Sequence, residues 1–243
     1  MEEIKVRAIV LKALDYKEKD KLLELFSLEN GKLTVSLKGV RSPKAKLKFA
    51  GEPLNLVEYT LVNRNGKYTV TGASFISSFF TIAQNYSNFL ISCVVLEILN
   101  KVTVSNEPNS ELFVLALKVF NELQQNESSG FVVLTKFYLE VLKILGFAIK
   151  FDNCLNCSKE LSLDAYFSFD YGSLVCENCK SFYDVLITKN GLNFLKDINS
   201  CALENLSEIN IMTDIKSLIN ILNKNLEMRC FISIKSFAQL SLL

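Results

Sequence analysis

From Lys32 to Lys38 the chain reads KLTVSLK, with Leu33, Val35 and Leu37 falling on one side and Lys32, Thr34, Ser36 and Lys38 on the other. A period of two is the mark of a half-buried strand. Four more segments read as strands: IKVRAIVLKA, DKLLELFSLE, PLNLVEYTLV and KYTVTGASFI. Asn30-Gly31 and Asn65-Gly66 supply dipeptides that favour tight hairpin turns. Five strands in the first 80 residues are too few for an immunoglobulin-size sandwich. They suit a small barrel of the OB type, a fold often used to hold oligonucleotides.

Beyond residue 80 the period lengthens to that of a helix. Tyr86 to Val102, Asn109 to Leu123 and Ser128 to Leu145 place apolar residues at i, i+3, i+4 and i+7, as in Leu112, Leu115, Ala116 and Val119. Asn109 or Ser110 can cap the second helix, and Gly146 stands where a cap would close the third. Two later helices are expected from near Thr188 and Thr213, the last reaching the C-terminal leucines. The fold class is therefore α+β multidomain: an OB-type barrel over residues 1–80, and a helical domain over 81–243 whose apolar stripes form its core. The join is short, so the two are expected to pack together.

Composition sets outer limits. The chain has 243 residues, 49% of them apolar and 22% charged, enough for two cored units. Its apolar runs are short, whereas a membrane span needs about 20 apolar residues. The opening MEEIKVRAIVLKALDYKEK lacks the basic-then-apolar layout of a secretory signal, so the cytoplasm is the expected location. The net charge of +1 conceals a split: residues 1–80 carry +5 and residues 81–243 carry −4. A basic unit joined to a mildly acidic one suggests a polyanion surface and a second surface for something else.

The positive charge has a focus. Between Asn30 and Gly51 stand Lys32, Lys38, Arg41, Lys44, Lys46 and Lys48, with no Asp or Glu. Pro43 breaks the ladder and Gly51-Glu52-Pro53 punctuates the return, so Arg41 to Gly51 connects the third and fourth strands. Lys32 and Lys38, on the polar side of the third strand, continue the same field. Lysine runs often serve only solubility. The missing counter-acids favour phosphate contact instead, and Phe49 and Tyr59 offer rings that could stack on bases.

The sharpest chemical pattern interrupts the helices. Cys154, Cys157, Cys176 and Cys179 form C-x2-C-x18-C-x2-C, the spacing of a four-thiolate zinc site. Two residues between thiols let both sulfurs of a tight turn reach one ion, and a tetrahedral ion needs two such turns. The segment between them reads as a hairpin with Gly172 at its turn, and the knuckle spans about 150–183. Four cysteines close the shell, which favours one structural Zn2+ over a catalytic ion with an open position. A redox pair usually comes singly within a thioredoxin-like βαβ pattern, which is absent. Cys93, Cys201 and Cys230 lie in apolar helical contexts and are expected to be buried.

The chain has no histidine, nucleotide-phosphate loop, nucleophile elbow or dinucleotide-binding glycine fingerprint, so a binding protein is expected rather than an enzyme. Two other classes fit less well. A protein-interaction adaptor would use the acidic helical half, and a sequence-specific zinc regulator would need uncompensated cations at its knuckle, where Lys159 and Lys180 are offset by Glu160 and Glu177.

A strand set containing GKLTVSLKGVRSPKAKL, a helical region, a four-cysteine knuckle and a C-terminal RCFISIKSF together resemble the RecO family of bacterial recombination mediators over essentially the whole chain. The resemblance implies DNA repair and recombination: binding of single- and double-stranded DNA, annealing of complementary strands, and action with RecR to load RecA onto strands coated by single-strand-binding protein. It implies no nucleotide hydrolysis, and a nucleoid-associated place in the cytoplasm. Zinc is not universal in the family, but all four ligand positions stand here.

Overall fold

Each of the five alternating segments is a strand in the computed structural model, which describes residues 2–125 and 129–240. They are β1 (Glu2–Tyr16), β2 (Asp20–Ser27), β3 (Gly31–Leu37), β4 (Asn55–Arg64) and β5 (Lys67–Ser78). They close into a barrel in the order β1-β2-β3-β5-β4, an OB-type arrangement. β1 is long enough to serve two neighbours, so that Ala8 pairs with Ser27 of β2 and with Val57 of β4. A parallel contact of β3 with β5, Val35 to Tyr68 and Ser36 to Thr69, completes the circle. Alternate residues of β1 to β4 fill the interior, with Val6, Ala8, Val10, Leu23, Leu25, Leu33, Val35, Leu37, Val57, Tyr59 and Leu61 buried, and β5 adds Val70.

The turn chemistry follows from backbone sign. Arg64 pairs with Lys67 across a two-residue loop in which Asn65 (φ 53°) and Gly66 (φ 77°) are both left-handed, matching the twist of the strands they join. At the β2–β3 turn, Ser27 pairs with Gly31, whose φ is +66°. Gly31 also lies under the chain: a Cβ there would sit 2.0 Å from the Glu107 carbonyl oxygen.

The chain divides into two compact units, 1–124 and 125–243. The first therefore contains, besides the barrel, α1 (Tyr86–Val102) and all but the last residue of α2 (Ser110–Gln125). Asn85 caps α1 by accepting from the Asn88 amide, and Asn109 caps α2 by accepting from the Leu112 amide. Ring pairs Phe26–Phe113 and Phe79–Phe120, with centroids 5.5 and 5.7 Å apart, join barrel and helices. The segment between the helices forms a parallel bridge, Lys32 to Ser105, at the start of β3.

The second unit contains α3 (Gly130–Ile144), a small sheet of β6 (Ala165–Ser168), β7 (Ser173–Val175) and β8 (Val185–Ile187) in the order β7-β6-β8, then α4 (Lys189–Ser200), α5 (Ile215–Cys230) and α6 (Phe237–Leu240). Gly146, at φ +85°, follows the end of α3. Thr188 and Asp214 cap α4 and α5 through the Gly191 and Ser217 amides. α3 packs on α5, where the Tyr138 hydroxyl donates to Asn223 Oδ1 at 2.8 Å.

Two expectations need correction. The last long helix stops at Cys230, because Phe231 turns left-handed (φ 53°) and the Glu227 carboxylate accepts from the Ile234 amide, and among the described residues only short α6 follows. Cys93, Cys201 and Cys230 are partly exposed rather than buried, two of them at helix ends. Ser128 and the leucines at 242 and 243, included in the expected helices, lie outside the described residues. Among the described residues no helix is long and apolar enough to cross a membrane.

Gly31→Ala should therefore cost more than Gly66→Ala. Both substitutions incur the left-handed penalty of about 1–2 kcal/mol, but only the first forces the backbone at Glu107 to move, since nothing lies within 4 Å of the Gly66 position. The expected readout is a larger drop in urea midpoint and a loss of hydrogen-exchange protection in β2 and β3 for Gly31→Ala alone.

Candidate nucleic-acid interface and metal centre

The connection from β3 to β4 carries five of the six candidate cations and is not a loose loop. Successive turns, Ser42 N–H to Gly39 O (3.2 Å) and Ala45 N–H to Ser42 O (3.0 Å), lead into a short 3-10 helix at Lys48–Gly51. Along Lys44-Ala45-Lys46-Leu47-Lys48-Phe49 the lysines are exposed while the residues between them are half-buried, and Leu47 and Phe49 pack against the barrel core. Three ammonium groups are thus held outward by an apolar underside. Among the described residues Lys38, Lys44, Lys46 and Lys48 have no acidic partner within ion-pair distance.

Arg41 behaves differently. Its guanidinium pairs with Asp15 at 3.0 Å and donates to the carbonyls of Lys17 and Glu18 at 3.2 Å each, while its amide donates to Lys19 O at 3.0 Å. The Gly39 amide adds a bond to Asp20 Oδ1 at 2.9 Å. These bonds staple the start of the basic connection to the β1–β2 turn and bring exposed Lys17 and Lys19 beside it, with Lys17 Nζ 5.3 Å from the centroid of the exposed Tyr16 ring. In sequence Lys17 and Lys19 are masked by neighbouring Asp15, Glu18 and Asp20, and only the Arg41 contacts show that they adjoin the lysine row.

Lys32 stands apart, at the opposite end of β3 from Lys38. Its ammonium donates to the Asn100 carbonyl at 2.8 Å, where a cation complements the negative end of α1. Tyr59 is wholly buried, its hydroxyl donating to Ala50 O at 2.6 Å, so it is a core residue and no stacking ring. Burial pushes its phenol well above the usual range. The ring that takes its place at the surface is Phe75, set against Phe49 with centroids 6.1 Å apart and planes at 79°.

In the second unit the four cysteines meet. Their sulfurs all lie within 4.8 Å of one another, with Cys154 and Cys176 buried and Cys157 exposed. A tetrahedral ion at about 2.3 Å from each sulfur would set them about 3.8 Å apart, and Cys157 and Cys176 stand at 3.6 Å. The first turn is closed by Cys154 N–H to Lys159 O (2.7 Å) and Ser158 N–H to Cys154 O (2.9 Å), with Ser158 left-handed at φ 60°. The second turn is closed by Cys179 N–H to Cys176 O at 2.9 Å. The Leu155 amide bonds Leu174 O in β7, which registers the first turn on the hairpin that carries the second.

The electrostatics of the cage favour a cation. Burial alone pushes the Cys154 thiol up, but the backbone amides of Cys157, Cys176 and Asn156, with the Cys157 thiol, hydrogen-bond to its sulfur and bring it down to about 6. Cys179 is pushed up to about 12, by its hydrogen bond to Cys157, by desolvation and by its bonds to Cys176 and Cys154. A divalent ion would replace these sulfur–sulfur hydrogen bonds with four metal–thiolate bonds, releasing protons as it binds. The donor set and spacing fit a metal ion held by Cys154, Cys157, Cys176 and Cys179.

One cation beside the cage is neutralised. Lys180 is spent on Glu177 at 2.6 Å and on the Tyr166 hydroxyl at 3.0 Å, and its ammonium sits 4.1 Å from the centroid of the Tyr166 ring. The hydrogen bond from Lys180 holds the Glu177 carboxyl below its ordinary range, with a further hydrogen bond to Tyr166 acting in the same direction. Gly172 turns the hairpin at φ +66°, and there the Arg229 guanidinium donates to the carbonyls of Phe169 and Asp170, tying the hairpin to α5.

Comparison with known proteins agrees with both halves of this description. Residues 1–79 match the family model described as Recombination protein O N terminal, and residues 83–230 match Recombination protein O C terminal. The chain is 28% identical over 209 residues to DNA repair protein RecO of Clostridium perfringens (strain 13), covering 86% of this chain and 85% of that one. It is 28% identical over 220 residues to DNA repair protein RecO of Caldicellulosiruptor bescii, covering 90% and 88%. With both family models matched, over residues 1–79 and 83–230, and with an OB-type barrel, a helical region and a four-cysteine cage in the structure, the chain belongs to the RecO family of DNA repair and recombination proteins.

Proposed function

We propose that the chain is a recombinational repair mediator that grips DNA through the phosphate backbone with Lys38, Lys44, Lys46 and Lys48, and that its cage holds one structural zinc ion. The observation that carries the first part is the lysine row: three exposed ammonium groups alternating with apolar residues anchored in the barrel, with no acid to neutralise them. Such a surface contacts phosphates without reading base edges, as suits a protein that must work at a lesion of any sequence. Arg41 adds charge while it holds the row against the β1–β2 turn.

Annealing follows from the same physics. Two strands held on one cationic surface repel each other less, so pairing proceeds without nucleotide hydrolysis. Membership of the RecO family supports RecR, single-strand-binding protein and RecA as the proteins it works with, in the cytoplasm at the nucleoid. The acidic balance of the C-terminal part makes that part the more suitable surface for protein partners, since it would repel DNA.

Changing Lys38, Lys44, Lys46 and Lys48 together to Ala should lower the slope of log affinity against log salt by about 3 for single strands, at roughly 0.7 per lost phosphate contact. Affinity should fall alike for all sequences, strand annealing should fail with it, and thermal stability should change little, because among the described residues these side chains have no ion-pair partner and exposed surface changes are usually within about 0.5 kcal/mol. Oligonucleotide anisotropy across a salt series decides the matter, and an unchanged slope in the folded variant returns the row to a solubilising role.

The metal assignment has its own test. Purified reduced protein should carry one zinc per chain by elemental analysis, and Cys176→Ser should lose it. Because the cage lies apart from the lysine row in sequence and carries no free cation of its own at Lys180, that variant should lose hydrogen-exchange protection in β6 and β7 while its intrinsic affinity for single strands stays within about twofold. An equal loss of both would make the knuckle part of the DNA surface.

A further inference from the structure

The lysine row explains attraction to any nucleic acid but gives no preference for unpaired strands. A second feature, in contact with the same connection, supplies one. Phe75 pairs across the ladder with Val57, a fully buried core residue, so its register points inward, yet it sits near the end of β5 and remains 54% exposed. An aromatic ring left half in water forgoes much of its burial energy.

The local backbone explains the exposure. Between Leu56 and Val57 the β4–β5 register slips: Leu56 pairs with Ser77 and Val57 with Phe75, which leaves Ile76 as an extra residue. A bulge of this kind re-aims side chains and ends regular pairing. Ile76 is 44% exposed, so two adjacent apolar residues stand open at the barrel's end. Phe49, the residue after Lys48 in the row, meets Phe75 at 79° and is itself anchored in the core. The edge contact fixes the orientation of Phe75, so little conformational freedom remains to be lost when a flat ligand lands on it.

We propose that Phe75, braced by Phe49, stacks on an unpaired base of a strand whose phosphates lie on Lys44, Lys46 and Lys48, and that this contact makes the face prefer single strands to duplex. The inference rests on the phosphate reading of the lysine row and adds to it the group that senses whether bases are paired. Each nucleotide of a single strand presents both a phosphate and an open base plane, so an exposed ring that touches Phe49, the residue next to Lys48, can engage a base of a strand whose phosphates meet the row. A duplex offers the same phosphates but keeps its base planes inside the stack. Stacking tolerates any base, because every base has a π face, so the preference is for strandedness and not for sequence.

The test compares single-stranded and hairpin-duplex oligonucleotides on the full chain. Phe75→Ala and Phe75→Leu should each lower single-strand affinity roughly 5- to 150-fold, the range for one lost base–aromatic contact, with duplex affinity and both salt slopes unchanged. Leu keeps an apolar contact with Phe49 but has no π face, so its loss isolates stacking from packing, and Phe75→Tyr or Phe75→Trp should retain the preference. A 2-aminopurine strand should be quenched on binding by the parent protein and not by Phe75→Leu. An unchanged ratio of single-strand to duplex affinity in Phe75→Leu overturns the proposal. If the lysine variant loses its salt slope while the Phe75 variants keep that ratio, stacking alone is wrong; a flat slope in the parent protein removes the phosphate reading and the stacking with it.

Discussion

The parallel contact between β3 and β5 governs the first unit. Because β3 pairs with β5 and not with β4, the chain leaving β3 must pass β5 and enter the strand beyond it. That crossing runs over the end of the barrel, so the connection has two environments, a hydrophobic interior below and water above. Its residues divide accordingly: Leu47, Phe49 and Ala50 close the end of the core, and Ala50 O receives the Tyr59 hydroxyl from within. The lysines between them have only one direction left. Barrel closure therefore creates the cationic row as well as the core, and a rearrangement of strand order would remove both.

Two arginines tie exposed turns to neighbouring elements. Arg41 bridges the basic connection and the β1–β2 turn, and Arg229 ties the hairpin turn to α5. Lone surface ion pairs contribute little to stability. Both guanidiniums instead satisfy backbone carbonyls that turns leave unpaired, which defines geometry more than it adds energy. The lysine row depends on that arrangement, since its charges are useful to a polyanion only if they stay together.

Much of this was legible from local pattern. Leu33, Val35 and Leu37 state the β3 core face, Asn65-Gly66 states a left-handed two-residue turn, and the paired C-x2-C spacings state the cage, since each depends on residues near one another in the chain. Less was legible where the partner is distant. Lys32 has the same strand periodicity as Lys38, but Asn100, 68 residues away, determines that its charge serves a helix end. Tyr59 looks like any strand aromatic until Ala50 claims its hydroxyl. The stretch Ala73-Ser74-Phe75-Ile76 reads as ordinary alternation, and the register slip that exposes two apolar residues exists only in the pairing with β4. Phe231 ends α5 without glycine, so no composition signal marks the stop.

The packing of α3 on α5 has a consequence for chain entropy. The Tyr138–Asn223 bond joins residues 85 apart in sequence, and the intervening chain holds the whole cysteine hairpin. Bringing such distant helices together costs chain entropy that grows with the length of free loop between them. A hairpin already closed at its two turns removes part of that length, and Arg229 gives α5 a fixed point to land on. The cysteine hairpin is thus also a shortcut in the chain, one that lowers the entropic cost of holding α3 and α5 together.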